Sequence, residues 1–105
     1  MIRHCVFIRF RPEVGRNERA AILADIVALK QHLGGIHAVH IGANVSPEAG
    51  MDKGFAEGFI VDFRDAASRD AYLVDPAHQA AGAKLVAAAD GGIAGILVYD
   101  LEIPA

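Results

Sequence analysis

The sequence lacks tryptophan altogether and holds a single cysteine, Cys5, so no disulfide can form within the chain. It has no excess of positive charge, and its formal net charge of −3 argues against a broad phosphate-binding face. No apolar run approaches the ~20 residues that a membrane span needs. The opening stretch MIRHCVFIRFRPE carries three arginines and no long apolar core, so it does not read as a signal peptide. The phosphate-binding patterns GxxxxGK[ST] and GxGxxG are missing, as is the G-x-S-x-G nucleophile elbow. Together these absences predict a cytoplasmic protein without membrane or nucleic-acid partners. They also leave Cys5 as a small buried hydrophobe rather than a reactive thiol.

The chain does hold a high apolar fraction, 53% of 105 residues, which excludes disorder and predicts one domain over residues 1–105. A chain this short buries a modest share of its surface and would gain from a partner subunit. Alternation and β-forming residues predict strands at 2–10, 36–45, 55–63 and 93–103. Helical spacing of Ile22, Ile26, Leu29 and Leu33 predicts a first helix, with Asn17 as its N-cap and Gly34–Gly35 as its end. Asp65 caps a short second helix containing Tyr72. Asp75 and Pro76 break it and start another that runs to about Ala89. The order β-α-β-β-α-β, with the second helical region split, is the α+β ferredoxin-like arrangement: a four-stranded antiparallel sheet with helices on one face. The other face, expected to carry Phe7, Val39 and Ile41 or their neighbours, must also be hidden. Two sheets packed face to face in a homodimer would hide it.

Two tempting motifs fail on inspection. KGFAEGFIVDF resembles the third strand of an RNA-recognition fold, but Glu57 and Gly58 interrupt the pattern and the net charge has the wrong sign. His37 and His40, three apart on a strand, point to opposite faces and cannot chelate one ion; His32, near a helix end, suits the helix dipole. No metal site is predicted. His4 and Glu57 are more informative, because they share faces with apolar neighbours (Phe59 beside Glu57) on strands that should be adjacent. They are expected to line a small-molecule pocket or to satisfy one another inside the fold.

In AYLVDPAHQA, Asp75 is a good N-cap and Pro76 suits N1, which places His78 at N3. The helix dipole there opposes a charged imidazolium, whereas Asp75 favours one. A neutral imidazole could serve as a general base. Tyr72, six positions earlier, could polarise a substrate oxygen, or simply pack over the sheet.

Taken in order, IRHCVFIRF, GGIHAVHIGANVS, GFIVDF, AYLVDPAH and VYDLEI resemble the stress-responsive A/B barrel (Dabb) domain, a branch of the dimeric α+β barrel proteins, over essentially the whole length. The resemblance implies ferredoxin-like protomers whose sheets pack into a dimeric barrel. One plant member is a polyketide cyclase that uses a histidine base and a tyrosine in the same Tyr-(five residues)-His pattern, corresponding to His78 and Tyr72. A histidine on its first strand corresponds to His4. This chain departs from the pattern at Asp75, where the family commonly has histidine, and at Glu57, where the cyclase has histidine. The resemblance therefore implies cofactor-free proton abstraction beside a carbonyl, with His78 and Tyr72 catalytic and His4, Glu57 and Phe59 lining the pocket. The competing expectations are a non-enzymatic stress or structural dimer and a cofactor-free oxygenase of quinol-like substrates.

Overall fold

A computed structural model describes residues 1–104. In chain order it contains β1 (Ile2–Ile8), α1 (Arg16–His32), β2 (Ile36–Ala43), β3 (Glu57–Phe63), α2 (Ala66–Val74), α3 (Pro76–Ala88) and β4 (Ile96–Glu102). A 3-10 turn at Gly92–Gly95 precedes β4. The strands form one antiparallel sheet in the order β2-β3-β1-β4, with the helices on one face. This is the ferredoxin-like α+β arrangement, split second helical region included. No helix is long and apolar enough to cross a membrane, among the described residues.

The strands are shorter than their alternation suggests. Past Ile8, the Arg9 amide donates to Gly95 and its carbonyl accepts from Asp90, so β1 gives up its ladder to the turn before β4. Residues 93–95 belong to that turn, and β4 begins only at Ile96. The first helix is capped two residues before Asn17. Gly15 is its N-cap and makes no side-chain bond; Arg19 secures the entry by donating from its backbone to Gly15 and from Nε to the Val14 carbonyl. Asp65 and Asp75 cap as expected: Asp65 accepts from the Ser68 amide, and Asp75 from the Ala77 and His78 amides. The first helix ends at His32 with Leu33 as its C-cap, and Gly35, at φ +81°, a conformation glycine adopts without strain, turns the chain into β2; its carbonyl accepts from Arg64.

The faces of β2 differ from the expectation. Its register places Val39 opposite Val61 and Ile41 opposite Phe59, on the helix-covered side. An irregularity between Ile36 and Ala38 absorbs His37, and the outer face of β2 carries Ala38, His40 and Gly42 instead. Phe7 is on the outer face as predicted, beside Leu97, Tyr99 and Leu101 of β4, all three of them exposed. The core lies under the helices. Val6 and Ile8 of β1, Phe59, Val61 and Phe63 of β3, and Ile22, Ile26, Leu29 and Leu85 of the helices are all buried.

The amphipathic split of α1 makes a direct test. Ile26 is buried and Val27 beside it is exposed. Ile26→Ala should cost about 3 kcal/mol, the cost of an aliphatic core truncation, whereas Val27→Ala should stay within about 0.5 kcal/mol. Urea unfolding at one fixed protein concentration reads both.

Candidate functional site

The histidine of β1, the tyrosine of α2 and the histidine of α3 meet at one end of the sheet. Tyr72, in the last turn of α2, stands over β3 with its ring edge-on to Phe63 at 5.0 Å between centroids. Asp75 bends the chain, Pro76 opens α3, and the first turn of α3 returns His78 to the tyrosine, with ring centroids 4.1 Å apart. His4 completes the group from below, edge-on to Tyr72 at 5.8 Å and to Phe63 at 6.2 Å.

Polar satisfaction is uneven here. His4 Nδ1 lies 2.7 Å from an oxygen of Asp100, whose other oxygen accepts from Arg69 at 2.8 Å. Burial would raise the Asp100 carboxyl, but the bonds from His4 and Arg69 outweigh it and hold it below the ordinary carboxylate value. An ionised carboxylate only accepts, so His4 carries its proton on Nδ1 and presents Nε2 unprotonated when the ring is neutral. Tyr72 Oη and His78 Nδ1, by contrast, are buried without any hydrogen-bond partner. Burial pushes the Tyr72 phenol far above its ordinary range, so it stays a neutral donor. Burial, then the neighbouring His4, pushes His78 below the ordinary imidazole value; the Leu73 carbonyl and Asp75 oppose the shift and are outweighed. Burial and His4, rather than the helix dipole, thus favour the neutral form of His78 over the opposing pull of Asp75. The arrangement is a neutral imidazole against a neutral phenol, both with unused hydrogen-bonding capacity, beside a histidine of defined tautomer.

Not every predicted residue joins them. The register puts Val61 and Asp100 across from His4, while Glu57 sits across from Ile8, four positions along β1. At about 3.3 Å per residue, that is roughly 13 Å away. The expected His4–Glu57 pair therefore does not form. Glu57 instead accepts from Arg19 Nη1 at 2.7 Å and lines a groove between α1 and β2. Phe59 is a core residue opposite Val6. His32 is bonded rather than merely solvated: its Nε2 lies 3.0 Å from Asp75, which ties the end of α1 to the bend before α3. His40 lies on the outer face, 3.3 Å from Asp62, which also binds Arg3. Among the described residues no cluster of His, Cys, Asp and Glu could hold a metal.

Asp100 and Arg69 are the site residues that reading along the sequence missed. A signal was present: alternation in ILVYDLE puts Asp100 on the face of Ile96 and Val98. A lone carboxylate on a half-apolar face calls for a partner. Finding that partner required the β1–β4 register.

Residues 2–103 match the family described as the Stress responsive A/B Barrel Domain, or Dabb. A dimeric ferredoxin-like protein of unknown function from Jannaschia sp. CCS1 is 34% identical, with 97% of this chain and 98% of that one aligned and a TM-score of 0.89. A crystal structure of an Arabidopsis thaliana protein, 20% identical over all of this chain and 97% of its own, gives 0.88. The hydroxynitrile lyase of Passiflora edulis, 19% identical over 98% of this chain and 93% of its own, gives 0.85. At those two identities the likeness shows the fold alone. Among curated proteins none matches. With the family matched over nearly its whole length, and a relative at 34% identity sharing the fold, the chain belongs to the stress-responsive A/B barrel domain family.

Proposed function

We propose that this chain is a homodimeric Dabb protein that binds a small carbonyl compound at Tyr72 and His78 and takes a proton from the carbon beside the carbonyl. In this reading a nitrogen of neutral His78 accepts the proton. The Tyr72 phenol donates a hydrogen bond to the carbonyl oxygen as it gains enolate character, and no cofactor is required. The observation that carries the reading is the pair of partnerless buried atoms, Tyr72 Oη and His78 Nδ1. Buried polar atoms are nearly always bonded, and two left over side by side form a place where water or a ligand can supply the partner. His4, held by Asp100 and Arg69, adds a fixed polar group beside the pair. A neighbour on the same fold is named a hydroxynitrile lyase, which shows that this fold can carry a lyase.

One observation favours the structural reading instead. Tyr72 is only 1% exposed, and the grooves at α1–β2, on the outer sheet face and between α1 and α3 are lined by other residues. A site that never opens would make Tyr72–His78 a clamp for the split helix. NMR separates the two. His78 should titrate below the ordinary imidazole value of about 6.5, shift on addition of a β-diketone or phenolic acid, and respond to Tyr72→Phe. A His78 signal that no compound moves would leave only the clamp.

The sign of the His78 shift gives a stability test. Its folded pKa lies below its unfolded one, so the stabilisation it confers is complete above about pH 6.5 and is lost as acid charges it. Between pH 7.5 and 5.5, wild-type stability to urea should therefore fall relative to His78→Gln at the same protein concentration. A relative rise would show a stabilised imidazolium and remove the general base.

The dimer is proposed through the outer sheet face, where Phe7, Leu97, Tyr99 and Leu101 leave an apolar patch that a second sheet would cover. The Jannaschia relative is described as dimeric. Sedimentation should give twice the protomer mass, and Leu97→Asp should shift it to one.

A further inference from the structure

Glu57 marks a second place on the helix-covered side, at the far end of the sheet from Tyr72 and His78. β2 is an edge strand there, and α1 leaves its C-terminal end uncovered. Ile41 and Val27 are exposed beside the buried Leu23. Between α1 and the ends of β2 and β3 lies a groove of about 840 Å³. That is within the size range of small-molecule sites. Its walls are mostly alanine, valine, leucine and isoleucine, with Asn44 and three charged residues besides, and none of its lining residues is aromatic. Such walls suit a flexible aliphatic chain rather than a flat ring.

The charges at the groove are unequal. Arg19 is spent inside the protein: Nη1 binds Glu57, Nε and Nη2 bind the Val14 and Arg11 carbonyls, and the guanidinium lies over the Phe10 ring. Arg19 and Glu57 thus balance one another. Arg16, which also lines the groove, makes no hydrogen bond or ion pair among the described residues. An apolar trough with one uncompensated guanidinium complements a molecule with an apolar tail and one carboxylate, which a guanidinium can bind through two parallel hydrogen bonds. We propose that the α1–β2 groove binds a medium-chain aliphatic carboxylic acid, its tail along Leu23, Val27 and Ile41 and its carboxylate on Arg16. The site is separate from Tyr72–His78 and does not rest on the function proposed there.

The test uses the full chain and three probes of one length, decanoate, 1-decanol and decylamine, each below its solubility or micellar limit, followed by amide NMR. Decanoate should move the Ala20, Ala24 and Val27 amides and bind at least tenfold tighter than decanol, with decylamine weakest. Arg16→Glu should weaken decanoate at least tenfold and leave decanol unchanged. Ala24→Trp, at an exposed lining position, should abolish binding of decanoate and decanol while the spectrum stays folded. Equal affinity for all three probes would overturn carboxylate recognition, and no binding at millimolar decanoate would overturn the site. Shifts confined to Tyr72 and His78, or to Phe7 and Leu97, would place the acid elsewhere and overturn the groove.

Discussion

The position of β1 at the centre of the sheet is the constraint on which the rest depends. Like β3, it is paired along both edges, and it alone joins β3 on one side to β4 on the other. Each of its residues therefore has two cross-strand neighbours, and whatever faces the helices from β1 is surrounded on the sheet as well as from above. Val6 and Ile8 become core for that reason. His4 becomes a buried histidine for the same reason, and a buried histidine needs a partner. Val61 on one side cannot supply it; Asp100 on the other can. The polarity of the site is in this sense a consequence of strand order.

A second node is Asp75, which does three jobs with one carboxylate. One oxygen receives the Ala77 and His78 amides and starts α3; the other binds His32 at the end of α1. Burial would raise this carboxyl, but these bonds hold it below the ordinary value, so it stays ionised and the cap persists in mild acid. The bend it enforces sets the distance between the Tyr72 and His78 rings. A histidine at that position would have to accept the same amides through a ring nitrogen. Aspartate accepts them regardless of tautomer.

Sequence reading recovered the features that are local. Asp65 and Asp75 announce helix starts through side chains that reach their own amides, and Ile22, Ile26 and Leu29 announce a buried face by spacing alone. Tyr72 and His78 were also legible, because a capped bend of fixed length brings them together. What depends on register was not legible. The irregularity at His37 decides which face carries Val39 and Ile41, and nothing in IHAVHIGANV predicts an extra residue there. His4 and Glu57 were rightly placed on adjacent strands and on the helix-covered side, yet antiparallel pairing offsets them by four residues. Asp100 was overlooked for the complementary reason: its partner lies 96 positions away in sequence.

That offset has a consequence for how the helix-covered side can work. It puts two polar groups at opposite ends of one apolar layer, His4 with Asp100 at one end and Glu57 with Arg19 at the other, with Val6, Phe59 and Val61 packed between them. Had the register brought His4 and Glu57 together, each would have satisfied the other and the interior would hold one closed ion pair. With the groups apart, each end recruits its own counter-charge from a helix or from β4, and each needs its own opening to be useful. At the Glu57 end the opening exists, because β2 is an edge strand that α1 does not fully cover. The Tyr72 end lies over the central strands, where β1 and β3 are covered by α2 and α3, and the two unsatisfied atoms there are sealed by packing. The sheet beneath is hydrogen-bonded on both sides, so the split helix at the Asp75 bend is what bounds these atoms from above. The break between α2 and α3, which first looked like a matter of capping, is thus the element on which the chemistry of this end would turn.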